Sequence, residues 1–175
     1  MAHAENLQGT FYSGQEKGTG DDRAVAQACG ETARQIVGLE FRAFFAYHYA
    51  LMERPGNLTK AEREMIVVAT SSSNQCQYCV VAHGAILRIR AKNPLISAQV
   101  AVNYRKADIT ERQKAMLDFA LKVSRSAETV GEADFDALKD IWDIAAIAAF
   151  FGLSNRMANV TAMRPNAEFY TMGRG

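Results

Sequence analysis

Residues 59–83 read Thr59-Lys60-Ala61-Glu62-Arg63-Glu64-Met65-Ile66-Val67-Val68-Ala69-Thr70-Ser71-Ser72-Ser73-Asn74-Gln75-Cys76-Gln77-Tyr78-Cys79-Val80-Val81-Ala82-His83. Thr59 followed three positions later by Glu62 is a capping box, which satisfies two orphan amide groups at a helix start. Behind it, Ala61, Met65, Val68, Ala69 and Ser72 recur at helical spacing, so the stretch predicts an amphipathic helix. The run Ser71-Ser72-Ser73-Asn74 competes with the backbone for hydrogen bonds and stops that helix. It also recaps the chain, which puts Cys76 in the first turn of a second helix reaching to about Lys92. Two helices joined by a tight turn point to an all-α fold.

The rest of the chain agrees. It holds 29 alanines and only 3 prolines in 175 residues, with no alternating β-branched run bounded by turn signals. Residues 1–20, with Gly9, Gly14, Gly18 and Gly20, read as an irregular lead-in, and residues 21–175 as one helical domain. A helical pattern starts at Asp21 or Asp22, bends near Gly30 or Gly38 and runs to about Glu53, ahead of the Pro55-Gly56-Asn57 turn. Asn93-Pro94 opens another helix with proline at its first position. Thr110-Glu111-Arg112-Gln113 is a second capping box, leading to about Ser126, and a last helix covers Glu132 to about Ala162. Residues 58–73 laid on 109–124 pair Thr59 with Thr110, Met65 with Met116, Ala69 with Ala120 and Ser73 with Ser124, a weak two-helix repeat. In the second copy Ala115, Ala127 and Val130 stand where the first has Glu64, Cys76 and Cys79, so the fold itself does not require those polar groups.

Composition excludes several classes. Twenty Lys+Arg balance 19 Asp+Glu, a net charge of +1 without a basic cluster, which gives no footprint for a nucleic-acid backbone. The longest apolar run, Ile144 to Leu153, is half the roughly 20 residues that a bilayer span needs, so no membrane partner is expected. The start Met1-Ala2-His3-Ala4-Glu5-Asn6 lacks the basic and apolar parts of a secretory signal, and a cytoplasmic location with reduced thiols is the expectation. Three cysteines, two of them three apart, then suit redox chemistry or a metal better than a stapling framework.

Cys76, Cys79 and His83 fall at i, i+3 and i+7, one face of a helix. The unpaired N–H groups at a helix start favour a thiolate, and an imidazole one turn beyond Cys79 can take its proton. A thiolate attacks a peroxide oxygen, and a second thiol three residues away can close the resulting sulfenic acid into a disulfide. One cysteine reacts and the other resolves. Glu64 could orient the imidazole, as the third member of a nucleophile, base and orienter set; by itself it reads as an exposed partner of Arg63 or Lys60. Glu62 is explained by the capping box. A zinc site is the rival, with Cys76, Cys79 and His83 as three ligands and Glu64 or water as a fourth, but a closed site wants four protein ligands and no second Cys-x-x-Cys or His pair exists. Haem attachment needs His directly after the second Cys, where Val80 stands, and no cofactor is implied. Cys29 reads as a packed helical thiol and His48 as a packed or interface histidine. The aromatic run Phe41 to Tyr49 and the stripe Ala145, Ala146, Ala148 and Ala149 read as core or subunit contact.

The segment Leu58 to Thr70, followed by Asn74 through Cys76-Gln77-Tyr78-Cys79 to His83-Gly84, resembles the alkylhydroperoxidase D-like branch of the carboxymuconolactone decarboxylase superfamily, in its peroxidase-related group. The similarity continues through Ala115 to Ala120, Phe150 to Arg156 and Arg164-Pro165-Asn166. It implies an all-helical fold, homo-oligomeric assembly and disulfide-cycling reduction of a hydroperoxide substrate. Renewal then falls to an external dithiol or disulfide reductase, a lipoyl-type adaptor among the candidates. The resemblance makes Cys79 the peroxide-attacking thiol and Cys76 the resolving one, with Glu64 and His83 as the proton relay. Tyr78 stands where the best-known members carry another His, which implies a shorter relay with Tyr78 as a hydrogen-bond donor. Residues 1–38 do not follow the family pattern, and Leu138-Lys139-Asp140-Ile141 is several residues short of its usual loop. Decarboxylase members share the fold without the cysteine pair. A decarboxylase-like enzyme and a redox-sensing or zinc-binding oligomer without turnover are the alternatives to a peroxidase.

Overall fold

The computed structural model describes residues 38, 40–135 and 140–174. The lead-in over residues 1–20, the helix start at Asp21 or Asp22, Cys29 and the shortened stretch at Leu138-Lys139 lie outside the described residues. The chain divides into two compact units, residues 1–47 and 48–175. Residues 40–53 are helical (α1). In the first unit Phe41 stacks on Phe45 at 6.0 Å between centroids, and Phe44 meets Phe45 edge-on at 5.4 Å. Phe41 and Tyr47 are about half exposed, so these aromatics do not form a closed core among the described residues.

The second unit holds α2 (Lys60–Ser73), α3 (Gln77–Ala91), α4 (Ile96–Asn103), α5 (Glu111–Ser126), α6 (Glu132–Phe135), α7 (Ile141–Val160) and α8 (Ala167–Thr171), and no strand among the described residues. Both predicted capping boxes close. Thr59 Oγ1 accepts from the Glu62 amide at 3.2 Å while Glu62 Oε2 accepts from the Thr59 amide at 2.9 Å, and Thr110 and Gln113 repeat the pattern. The second copy of the repeat departs after its first helix: residues 127–129, aligned with the start of α3, form a 3-10 turn.

α2 packs against α3, α4, α5 and α7, and this central place changes its character. The amphipathic pattern predicts one buried face, but every residue from Glu62 to Ser71 is buried. Ile66, Val67 and Val68 form the core with Leu87, Leu117, Ile147 and Phe151. Polar groups in such a helix must find partners. Arg63, 1% exposed, donates to the main-chain carbonyls of Leu51, Arg54 and Leu58, which closes the C-terminal end of α1. Glu62 is held by its capping box and by Arg112.

Three boundaries differ from expectation. Cys76 is the N-cap of α3 rather than a first-turn residue. α4 starts two residues beyond Pro94, because the Asn93 side chain accepts from the Leu95 amide at 3.0 Å and makes a local turn first. The single last helix is instead α6 and α7, with α8 beyond the Pro165 expected to end the helices. Arg88 ties α8 to α3 by donating to the carbonyls of Phe169 and Met172 at 2.7 and 2.8 Å. No helix among the described residues is long and apolar enough to cross a membrane.

Candidate active site

α2 ends and α3 begins within the residues Asn74, Gln75 and Cys76. Gln75 adopts the left-handed conformation at φ 54°, its amide donates to Ser72 O at 3.0 Å, and the Cys76 amide donates to Ser71 O at 2.9 Å. That pair of bonds is a Schellman closure of α2, with glutamine in the place that glycine usually takes. The same Cys76 is the extended N-cap of α3 (φ −93°, ψ 98°), so the end of one helix and the start of the next both hold it.

Cys76 and Cys79 are free thiols, 0% and 2% exposed, clustered with Ala158 of α7, and half-buried Tyr78 packs against them. The sulfur of Cys79 lies 3.9 Å from Ser154 Oγ. Asn155, fully buried, bears on both thiols and is itself fixed: its Nδ2 donates to Ser71 Oγ at 2.9 Å, and its Oδ1 accepts from Asn74 Nδ2 at 2.9 Å. Cys76 makes no standard capping hydrogen bond, yet the amides of Tyr78 and Cys79 act on its sulfur. The hydrogen bond from the Cys79 thiol is the largest influence on Cys76, and with those amides and Asn155 it outweighs burial and lowers the Cys76 thiol from its ordinary value. Cys79, donor in that bond, buried, and beside the Cys76 charge, is pushed strongly up.

His83, 4% exposed, turns Nδ1 to Glu64 Oε2 at 2.8 Å. The predicted orienting contact is therefore present, and the reading of Glu64 as a surface partner of Arg63 or Lys60 is overturned by its 1% exposure. Its other oxygen faces Arg90 Nη1 at 3.2 Å. Arg90 also binds Glu53, which binds Lys60, so alternating charges run from the half-exposed Lys60 ammonium to the buried imidazole. Burial works against a charged Glu53, but hydrogen bonds from Lys60 and Arg90 prevail and hold it below the usual carboxylate range.

Spacing within one helix misses several neighbours. His48, read as a packed histidine, lies with its ring centroid 5.9 Å from that of His83 and within 5.9 Å of Phe150 and Phe151. Phe151 meets the His83 ring edge-on at 4.8 Å. Burial first, then His83, lowers the His48 imidazole to about 4. Ser154 and Asn155 come from α7, about 75 residues along the chain, and nothing in the local pattern announces them. Among the described residues no three His, Cys, Asp or Glu side chains converge as a metal site would require.

The sequence profile of the Carboxymuconolactone decarboxylase family matches residues 39–94, the stretch that contains Glu64, Cys76, Cys79 and His83. A solved structure described as an alkylhydroperoxidase AhpD core, a peroxidase-related protein from Ralstonia eutropha JMP134, is 69% identical, covers 78% of this chain and 75% of that one, and superposes with a TM-score of 0.77. A peroxidase-related protein from Silicibacter sp. TM1040 is 44% identical over 76% of this chain and 73% of its own, with a TM-score of 0.74. No curated protein matches. An all-helical architecture, a cysteine pair at the start of α3 and these two relatives converge: the chain belongs to the alkylhydroperoxidase D-like carboxymuconolactone decarboxylase family.

Proposed function

We propose that the protein is a thiol peroxidase that reduces hydroperoxides through a Cys76–Cys79 disulfide cycle. The observation that carries this reading is the buried thiol pair at the start of α3, with His83 one turn beyond Cys79 and set by Glu64 at 2.8 Å. Cys79 attacks the peroxide oxygen and the O–O bond breaks; the alcohol leaves and Cys79 becomes a sulfenic acid. His83, oriented by Glu64, takes the thiol proton, and half-buried Tyr78 serves as a donor beside the pair. Cys76 then attacks the sulfenic sulfur, expelling its oxygen as water, and the disulfide forms. An external dithiol gives two electrons and two protons to restore both thiols.

Homo-oligomeric assembly belongs to the same reading. Trp142, Ala149, Leu153, Met157 and Val160 lie on one exposed face of α7, an apolar seam suited to a second copy.

The test is turnover of an organic hydroperoxide with dihydrolipoamide as reductant. Wild type should consume peroxide catalytically, while Cys76→Ser and Cys79→Ser should not. Equal consumption by wild type and Cys79→Ser would remove the reading, and a lactone decarboxylation that survives replacement of both cysteines would put a different enzyme in its place.

A further inference from the structure

Glu64 has two carboxylate oxygens, and the proposed cycle uses one of them. Oε2 lies 2.8 Å from His83 Nδ1, while Oε1 lies 3.2 Å from Arg90 Nη1. We propose that Arg90 is a positioning residue of the relay: it holds Glu64 so that the carboxylate fixes the hydrogen of His83 on Nδ1 and leaves Nε2 to take the thiol proton. The use of that proton rests on the peroxidase reading, whereas the placing of the imidazole hydrogen does not.

His83 and Arg90 are seven residues apart on α3, two turns along one face. Glu64 reaches in from α2 and is caught between them, one oxygen for each. A carboxylate that is 1% exposed has little water to orient it, so its partners set its direction. Arg90 is itself anchored from outside. Its Nη2 donates to Glu53 Oε1 at 2.5 Å, and the other oxygen of Glu53 binds Lys60. Nη1 is buried and has no hydrogen-bond partner among the described residues, so its approach to Oε1 is an ion pair without hydrogen-bond geometry. A pair kept for stability alone would satisfy that buried donor. Here Glu53 sets the guanidinium, its inner nitrogen acts on Glu64 by charge, and the hydrogen bond of the carboxylate goes to His83.

That bond decides the tautomer. A carboxylate only accepts, so the Nδ1 that faces it carries the imidazole hydrogen. Released from Arg90, the Glu64 side chain could turn about its broad terminal torsion, and the imidazole could then carry its hydrogen on either nitrogen. The other titratable groups of this region are His48 and Glu53 of α1 and Lys60 of α2. His48, with its ring centroid 5.9 Å from that of His83, is lowered to about 4 by burial and by His83, so it brings no competing cation to Glu64 at neutral pH.

The experiment reads the tautomer by NMR of isotope-labelled histidine nitrogens at neutral pH. The chain has 3 histidines, and His83 is assigned by the signal lost in His83→Gln. Expected in wild type is a single hydrogen, on Nδ1. In Arg90→Gln that signal should give way to a mixture of tautomers, and Glu53→Gln, which loosens the guanidinium without altering α3, should move it the same way. Oxidation of the thiol pair by an organic hydroperoxide should slow roughly 10-fold in Arg90→Gln. In a Glu64→Gln background the same change should cost no further rate, because the carboxylate it acts through is gone. A merely structural role would slow both backgrounds alike and leave the tautomer unmoved. An Nδ1 signal unchanged in both variants, or equal slowing in the two backgrounds, overturns the proposal. Should the wild-type thiols ignore hydroperoxide, the peroxidase reading fails and the tautomer alone decides the role of Arg90.

Discussion

Between a thiol and a peroxide the decisive quantity is where each proton sits, and in the proposed cycle His83 moves one. Replacing it with Gln keeps the volume and removes the base, so oxidation of the pair by hydroperoxide should slow by about 10²-fold or more. Stopped-flow thiol oxidation checks this, and an unchanged rate would take the imidazole out of the mechanism. Glu64→Gln should slow the reaction less, because an amide can still hold Nδ1 in place. His48 carries a different prediction. Its imidazole is lowered from the ordinary 6.5 to about 4 by burial and by His83. Between those values the unfolded chain takes up a proton that the native one does not, so His48 contributes stability that is present above pH 6.5 and drains away as pH falls toward 4. Urea unfolding at about pH 7 and about pH 5 should show a smaller loss in His48→Gln than in wild type.

At the scale of elements, the turn between α2 and α3 decides the site. Gln75 sits in a left-handed conformation that costs an L-residue roughly 1–2 kcal/mol. Gln75→Gly should therefore stabilise the protein by up to about 1 kcal/mol once the extra freedom of glycine in the unfolded chain is deducted. Chemical denaturation measures it; a loss of stability would mean that the glutamine side chain contributes more than its backbone costs. The capping boxes at Thr59 and Thr110 and the pairing of Cys76 with Cys79 were legible because each lies within about one turn at a helix start. The all-round burial of α2 was not, since Glu62, Arg63 and Glu64 resemble a solvent face until four other helices surround them. The position of α4 turned on the Asn93 side chain, which competes for the Leu95 amide before the helix can start.

Over the whole molecule, the parts that spacing could not reveal are those that join distant segments. Asn155 meets the cysteines across nearly half the chain, and Arg90 links Glu64 to Glu53. Only the fold brings these together, whereas the Glu64–His83 contact was foreshadowed by the pairing of α2 with α3. The exposed seam on α7 belongs to the same scale. A 19.2 kDa chain that buries it against a copy should sediment as an oligomer, and Leu153→Glu, which puts a charge in the seam, should shift it toward monomer. Sedimentation velocity decides; wild-type monomer at micromolar concentration would refute the seam. The central claim is that peroxide closes a disulfide between two buried thiols at one helix start, and counting free thiols against time after adding an organic hydroperoxide tests it most directly. Wild type should lose two thiols per chain rapidly while Cys79→Ser loses none at that rate. Slow loss that is the same in wild type, Cys76→Ser and Cys79→Ser would contradict the account.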